Sequence, residues 1–125
     1  DTVLLIDAAG NVVEGPGFNV FGVTPGGELV TPCDGVLEGI TRRTVIEMAQ
    51  SLGVPVALRT LPAAELRACR EVFLSSSGGG VLPVTRLDGQ PVADGVPGPL
   101  TQKLLQTYWD WHRDPRYSQP VDYRD

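Results

Sequence analysis

The residues that decide the fold are 39–58, which read GITRRTVIEMAQSLGVPVAL. Apolar side chains recur in this stretch at i, i+3, i+4 and i+7, the spacing of one face of a helix. These apolar positions are Val45, Met48, Ala49 and Leu52. We therefore predict an amphipathic helix that begins near residues 39–41 and ends at Gly53, followed by a strand over residues 54–60.

Two β-hairpins are predicted before this helix, because apolar and β-branched residues flank two turn-forming sequences. The turns are Ala-Ala-Gly-Asn at residues 8–11 and Thr-Pro-Gly-Gly at residues 24–27. The predicted strands are residues 3–7 with 12–14, and residues 19–23 with 28–31. The first third of the chain is thus expected to be antiparallel β-structure.

The rest of the chain alternates short helices with strands. The pattern predicts a helix over 62–69, strands over 72–75 and 81–87, and a return at 91–92 after an Asp-Gly turn. A last helix over 99–112 has the buried stripe Leu100, Leu104, Leu105, Tyr108 and Trp111. Residues 114–125 are expected to be irregular. This alternation predicts an α/β (α+β) fold, a mixed β-sheet with flanking helices.

The composition limits the possible classes of function. The 125 residues suffice for one domain with a hydrophobic core. The net charge of -5 disfavours nucleic acid and anionic membranes as partners, and no apolar run approaches the length of a membrane span. Cys33 and Cys69 lack the spacing of a zinc site or a disulfide framework, so we expect no metal and a reducing, cytoplasmic location. Because the sequence begins at Asp1 without a methionine, we also expect it to be part of a longer chain.

The start of the predicted helix is a candidate anion site. Arg42 and Arg43 lie in its first turn, where the helix dipole already places partial positive charge. A bound phosphate would balance this charge, since the first amides of a helix have no intrahelical partner and Thr41 adds a hydroxyl. Alternatively, both arginines are solvated, with Arg43 pairing with Glu47 and Glu38 neutralising the remainder. The sequence leaves both interpretations open.

Residues 75–80, which read SSSGGG, are a second candidate anion site. Such a run is usually a flexible linker, but six residues between two predicted strands are too few to separate domains. Its amides and hydroxyls favour a cradle for an anion. Taken alone, Glu14 is typical of a solvated turn residue and His112 of a packing residue. Lys103, the single lysine of the chain, is typical of a solvent-exposed cation.

Three separated motifs resemble those of the class IV (fold-type IV) pyridoxal-phosphate-dependent aminotransferases. They are EGPGFN at residues 14–19, GVLEGITR at residues 35–42 and EVFLSSSGGG at residues 71–80. VLPVTRLDG at residues 81–89 and GPLT at residues 98–101 are most similar to the (R)-selective amine transaminases, which are relatives of the branched-chain aminotransferases. The resemblance implies a mixed sheet or pseudo-barrel with flanking helices, as in the C-terminal large domain of the D-amino-acid aminotransferase-like enzymes.

The resemblance also implies how the chain binds pyridoxal 5'-phosphate. Glu14 matches the family's carboxylate beside the pyridine nitrogen, where negative charge keeps that nitrogen protonated. Ile40 and Thr41 match the residues whose amides, with the threonine hydroxyl, bind the phosphate at a helix start. Ser77 matches a second phosphate-binding hydroxyl, and Leu37 matches an apolar side chain against one face of the ring.

Gly78 and Gly79 match small residues that line the family's substrate pocket. The family's Schiff-base lysine lies further upstream of the glutamate than the thirteen residues that precede Glu14 here. We therefore expect residues 1–125 to be the C-terminal cofactor-binding domain, with the N-terminal domain and the catalytic lysine absent from this chain. Such a chain would be inactive alone. It would act with an N-terminal fragment of the same enzyme, in a homodimer or a larger assembly.

The function that the resemblance implies is transamination, in which an amino group moves from an (R)-amine or an amino acid to a keto acid. Branched-chain aminotransferases, D-amino-acid aminotransferases and aminodeoxychorismate lyases are alternatives with the same fold and cofactor. A different alternative is a lysine-less binding module that keeps the phosphate site without the chemistry.

Overall fold

The computed structural model describes residues 3–33, 35–37 and 39–113. Its elements, in chain order, are β1 (Asn11–Val12), β2 (Asn19–Val23), β3 (Leu29–Thr31), α1 (Ile40–Ser51), β4 (Val56–Leu58), β5 (Leu61–Pro62), α2 (Ala63–Ala68), β6 (Glu71–Ser76), β7 (Gly80–Val84), β8 (Arg86–Leu87), β9 (Gln90–Pro91) and α3 (Pro99–Arg113). The predicted combination of a mixed sheet and flanking helices is confirmed.

A five-stranded mixed sheet in the order β4-β3-β2-β6-β7 forms the centre of the fold. Neighbouring strands are antiparallel except β3 and β4, which are parallel. Parallel neighbours need a crossover connection, and α1 supplies it. Because β2 is antiparallel to both β3 and β6, the start of β2 meets the ends of β3 and β6 at one end of the sheet.

The two faces of the sheet carry separate hydrophobic cores, because side chains alternate along each strand. Phe21 and Phe73 pack with residues of α1 and α3, and their stacked rings have centroids 4.9 Å apart. Val20 and Leu74 lie on the opposite face and pack with Leu66 of α2. Both phenylalanines are fully buried, so the paired centres of β2 and β6 are fixed beneath the helices.

A buried carboxylate caps the start of α3. Glu71 Oε2 accepts the N–H of Leu100 at 3.2 Å, and Oε1 accepts the N–H and the hydroxyl of Thr101 at 2.7 and 2.8 Å. Amides in the first turn of a helix have no intrahelical acceptor, so this carboxylate satisfies them. A Cβ atom at Gly98 would overlap the Glu71 side chain, which explains the glycine at that position.

The local patterns predicted most elements close to their observed bounds. In the first hairpin, Val13 N–H donates to Leu5 O at 2.9 Å as expected, but β1 also pairs with β5, which the sequence did not indicate. The predicted strand 81–87 is divided into β7 and β8. Residues 75–80 do not form a separate loop, because β6 includes the first two serines and β7 begins at the last glycine. The predicted irregular tail, 114–125, lies outside the described residues.

Two further sequence expectations concern the helices and the cysteines. Among the described residues, no helix has the length and apolar character that a membrane span requires. Cys33 is exposed, Cys69 is buried, and both thiols are free. Burial, with a smaller contribution from the Glu65 charge, raises the pKa of the Cys69 thiol to about 11. Cys69 is therefore a core residue rather than a nucleophile.

We expect Glu71→Ala to lower the free energy of unfolding by about 2 kcal/mol, because two amides and a hydroxyl at the start of α3 lose their acceptor. Urea denaturation followed by circular dichroism measures this change. Glu47→Ala, at an exposed position on α1, is the control and should change the free energy by less than about 0.5 kcal/mol. Equal losses in the two variants would show that the Glu71 contacts do not stabilise α3.

Candidate functional site

A cleft of about 390 Å³ opens where β2 begins and β6 ends. Its walls are the turn before β2, the loop that leads into α1, and the end of β6. These segments converge because Asn19 and Ser75 are cross-strand partners and because β3 brings the chain to the same end of the sheet. The volume lies within the range of small-molecule sites in proteins.

Five of the seven site residues predicted from the sequence line this cleft: Glu14, Leu37, Ile40, Thr41 and Ser77. The other two, Gly78 and Gly79, lie in the adjacent β6–β7 turn and are not among the wall residues. A Cβ atom at Gly78 would meet nothing within 4 Å, whereas one at Gly79 would lie 3.0 Å from Leu82. The structure thus brings the predicted cofactor-binding residues together and places the predicted substrate-pocket glycines beside them.

The N-terminus of α1 forms one wall of the cleft. Gly39 precedes the helix in an extended conformation, and in the described ranges no side chain caps the helix and no acidic residue lies in its first turn. The first amides of a helix have no intrahelical acceptor, and the helix dipole makes them partially positive. Thr41 is buried here, whereas the side chain of Ile40 is 83% exposed. This wall can bind an anion such as a phosphate group.

Hydrogen bonds hold both backbone polar groups of Leu37 in a second wall. Its N–H donates to Glu14 Oε1 at 2.6 Å, and its carbonyl accepts a hydrogen bond from Asn19 Nδ2 at 2.8 Å. Asn19 is buried, but the side chain of Leu37 is 75% exposed. A Cβ atom at Gly39 would lie 2.7 Å from Asn19 Oδ1, so this close approach requires glycine. The two hydrogen bonds fix the Glu14 carboxylate relative to the loop that enters α1.

The cleft therefore combines a carboxylate with an anion-binding helix start. Glu14 is half-buried, and a carboxylate has acceptor positions beyond the one that the Leu37 amide occupies. A carboxylate favours the protonated form of a nearby nitrogen base, and the amides of α1 favour negative charge. A small molecule that carries both a protonated ring nitrogen and an anionic group matches this pair of walls.

The three serines at the end of β6 differ in their contacts. Ser76 Oγ accepts the N–H of Gly79 at 2.9 Å and closes the β6–β7 turn. Ser77 is exposed at the cleft wall. Ser75 is 1% exposed, and its Oγ has no hydrogen-bond partner among the described residues. Asn19 and Ser75 stand within the sequence motifs, but the sequence assigned neither a role, because their contacts depend on the pairing of distant segments.

Arg42 does not line the cleft. It is 4% exposed, and its Nη2 donates to Pro32 O at 3.1 Å, so it braces the loop before α1. The interpretation that both arginines of the first turn are solvated is therefore wrong for Arg42. Arg43 is exposed.

Lys103 and His112 lie on α3, outside the cleft walls. His112 Nδ1 is 3.0 Å from Tyr108 O, and the histidine ring packs against the rings of Tyr108 and Trp109. Lys103 is exposed.

Over residues 3–113, wherever the structure describes them, no group of three His, Cys, Asp or Glu side chains could hold a metal ion. The polar groups that line the cleft are a carboxylate, hydroxyls and backbone amides.

Comparison with known proteins identifies relatives that are longer than this chain. The family model for class IV amino-transferases matches residues 1–87. A protein of Thermotoga maritima named "probable branched-chain-amino-acid aminotransferase" is 41% identical over 108 residues, which are 85% of this chain and 39% of that protein. The branched-chain-amino-acid aminotransferase of Escherichia coli is 35% identical over 108 residues, which are 85% of this chain and 35% of that protein. The chain thus spans less than half the length of either relative.

The fold also matches the solved structure of another branched-chain aminotransferase. The crystal structure of the T.th. branched-chain amino acid aminotransferase with pyridoxamine 5'-phosphate matches with a TM-score of 0.87 and 35% sequence identity. The match covers 94% of this chain and 40% of that chain. Because the family model covers more than half of the sequence and the fold agrees, the chain belongs to the class IV aminotransferase family.

Proposed function

We propose that this chain is the cofactor-binding part of a pyridoxal-phosphate-dependent transaminase. The observation that carries the proposal is the cleft in which the Glu14 carboxylate and the start of α1 lie together. The T.th. relative, whose structure contains pyridoxamine 5'-phosphate, supports it. A protonated heteroaromatic ring with a phosphate group has the two chemical features that the walls select.

The phosphate group binds at the start of α1. The amides of Ile40 and Thr41 donate to it, and the hydroxyls of Thr41 and Ser77 add further donors. A negative charge at this position is stabilised by the helix dipole by roughly 0.3–1 kcal/mol, and by up to about 2 kcal/mol where the site is partly buried. The first turn of α1 fits this role because no described side chain caps it.

Glu14 holds the proton on the pyridine nitrogen. A nearby negative charge favours the protonated form of a nitrogen base and so raises its pKa. The hydrogen bond from the Leu37 N–H orients the carboxylate, and the exposed Leu37 side chain would cover one face of the ring. When bound, pyridoxal phosphate supplies an electron sink for the transfer of the amino group.

The reactive amine is supplied by a part of the enzyme other than this chain. The single lysine, Lys103, is exposed on α3 and is not a wall residue. The chain spans 39% of the Thermotoga maritima relative. We therefore assign residues 1–125 to the C-terminal cofactor-binding domain of an enzyme whose N-terminal part carries the lysine, in a homodimer or a larger assembly. Gly78 and Gly79 lie on the substrate side of this domain.

The whole enzyme moves an amino group from an amine or an amino acid to a keto acid. The resemblance of residues 81–89 and 98–101 to the (R)-selective amine transaminases favours an (R)-amine as donor. Branched-chain amino acids are a second candidate, which the names of the Thermotoga maritima and Escherichia coli relatives favour.

We expect Thr41→Val to weaken the binding of pyridoxamine 5'-phosphate to this chain about tenfold, because one hydrogen bond to a charged group is lost. Isothermal titration calorimetry measures the Kd. Thr107→Val is the control, because the Thr107 hydroxyl donates to Lys103 O on α3, away from the cleft. It should leave the Kd unchanged. If the wild-type chain does not bind pyridoxamine 5'-phosphate, the proposed role of the cleft is wrong.

We expect Glu14→Gln to lower the pKa of the ring nitrogen in bound pyridoxamine 5'-phosphate. Glutamine keeps an acceptor oxygen for the Leu37 amide but removes the negative charge that favours the protonated ring. Absorbance of the bound ligand as a function of pH measures this pKa. Glu47→Gln, at an exposed position on α1, should match the wild type. The same ring pKa in Glu14→Gln and wild type would remove Glu14 from its proposed role.

For the whole enzyme, which joins this chain to its N-terminal part, we expect activity with (R)-1-phenylethylamine and pyruvate. Formation of acetophenone, followed by chromatography, measures this reaction. Leucine with 2-oxoglutarate is the parallel assay. Activity confined to leucine would contradict the amine assignment and leave the transaminase assignment in place, whereas no activity on any amine or amino acid would contradict both.

A further inference from the structure

Ser75 is a buried residue whose hydroxyl has no hydrogen-bond partner in the part of the chain that the structure describes. Buried hydroxyls are nearly always paired, because an unpaired one loses its hydrogen bonds to water without replacement. Two neighbouring hydroxyls, on the buried Thr31 and the half-buried Ser76, are paired. Thr31 Oγ1 donates to Val20 O at 2.7 Å, and Ser76 Oγ accepts the N–H of Gly79 at 2.9 Å. Ser75 is the exception and needs an explanation.

The position of Ser75 explains why its hydroxyl has no partner among the described residues. It lines the cleft together with the start of α1, and its Cα pairs with Asn19 on β2 and Val81 on β7. Because side chains alternate along a strand, Ser75 lies on the same face of the sheet as Phe73. That face packs against α1 and α3. The hydroxyl therefore lies on the side of the sheet where α1 begins.

We propose that Ser75 Oγ donates a hydrogen bond to the phosphate group that binds at the start of α1. This inference rests on the proposed function, because it takes the cleft as the phosphate site. A phosphate group has three strong acceptor oxygens, and Ser75 joins Thr41 and Ser77 as a third hydroxyl donor. Rotation about one bond moves a serine hydroxyl among three staggered positions, so Ser75 can turn its hydroxyl towards the ligand.

A binding role and a packing role give different results for Ser75→Ala. A hydroxyl without a partner in the fold contributes no hydrogen bond to stability, so its removal should leave the urea midpoint unchanged or raise it. A donor to phosphate, when removed, weakens the binding of ligands that carry phosphate and spares ligands that lack it. The two effects are measured separately.

The experiment compares pyridoxamine 5'-phosphate with pyridoxamine as ligands of this chain. We expect Ser75→Ala to bind pyridoxamine 5'-phosphate about tenfold more weakly than wild type and to bind pyridoxamine equally well. Thr31→Val, which removes a paired buried hydroxyl, is the matched control. It should lower the urea midpoint and leave both Kd values unchanged. Ser75→Cys fills the position with a slightly larger group that donates only weakly, so it should reproduce the loss even if Ser75→Ala folds poorly.

Two results would overturn the inference. One is an unchanged Kd for pyridoxamine 5'-phosphate in Ser75→Ala and Ser75→Cys. The other is an equal loss for pyridoxamine 5'-phosphate and pyridoxamine, because the effect would then not depend on the phosphate. In either case the proposed function stands as long as wild type binds pyridoxamine 5'-phosphate and Thr41→Val weakens that binding. A wild-type chain that binds neither ligand overturns both proposals.

Discussion

The fixed position of the Leu37 backbone is the constraint on which the cleft depends. Its N–H is held by Glu14 and its carbonyl by Asn19, two side chains that lie before and at the start of β2. Each such hydrogen bond contributes about 1 kcal/mol to stability. The loop cannot shift without breaking both bonds, and α1 begins directly after it. The carboxylate and the helix start are therefore coupled, and a ligand that contacts one meets the other in a defined place.

The backbone amides in the first turns of α1 and α3, the two helices on this face of the sheet, differ in their hydrogen-bond acceptors. The register of β2 with β6 sets Val23 opposite Glu71 at one end and Asn19 opposite Ser75 at the other. At the first end, the Glu71 carboxylate accepts hydrogen bonds from the first amides of α3, so the charge that balances this helix is part of the fold. At the second end, no described side chain caps α1. In the proposed function, the negative charge that balances α1 is that of the bound phosphate group.

Local patterns were sufficient to predict α1, the second hairpin and α3, because each depends on residues that are close in sequence. The stripe of Val45 and Met48 specifies α1 without knowledge of its neighbours. Local patterns could not identify the predicted cofactor-binding residues, because a carboxylate such as Glu14 has no distinguishing feature alone. Only the resemblance of three motifs to one family grouped Glu14 with Thr41 and Ser77, and the structure then placed them in one cleft.

Features that depend on strand register could not be predicted. The pairing of β1 with β5 joins two-residue strands that are far apart in sequence, and the buried Arg42 donates a hydrogen bond to Pro32 O, ten residues earlier in the chain. The position of the Ser75 hydroxyl, which has no hydrogen-bond partner among the described residues, depends on the alignment of β6 with β2 and β7. A slip of one residue would move Ser75 to the opposite face of the sheet. No pattern within residues 75–80 carries that information.

In the proposed function, the cleft binds the cofactor and another part of the enzyme supplies the reactive amine. Glu14 and the start of α1 can orient a ring and an anion, but the single lysine of the chain is on α3, outside the walls. Leu37 and Ile40 add large exposed apolar side chains beside these polar groups. Covering apolar surface gains about 25 cal/mol per Å², so a flat ring that carries the anion gains more here than a free anion does. We therefore expect the walls to bind an aromatic phosphate more tightly than inorganic phosphate.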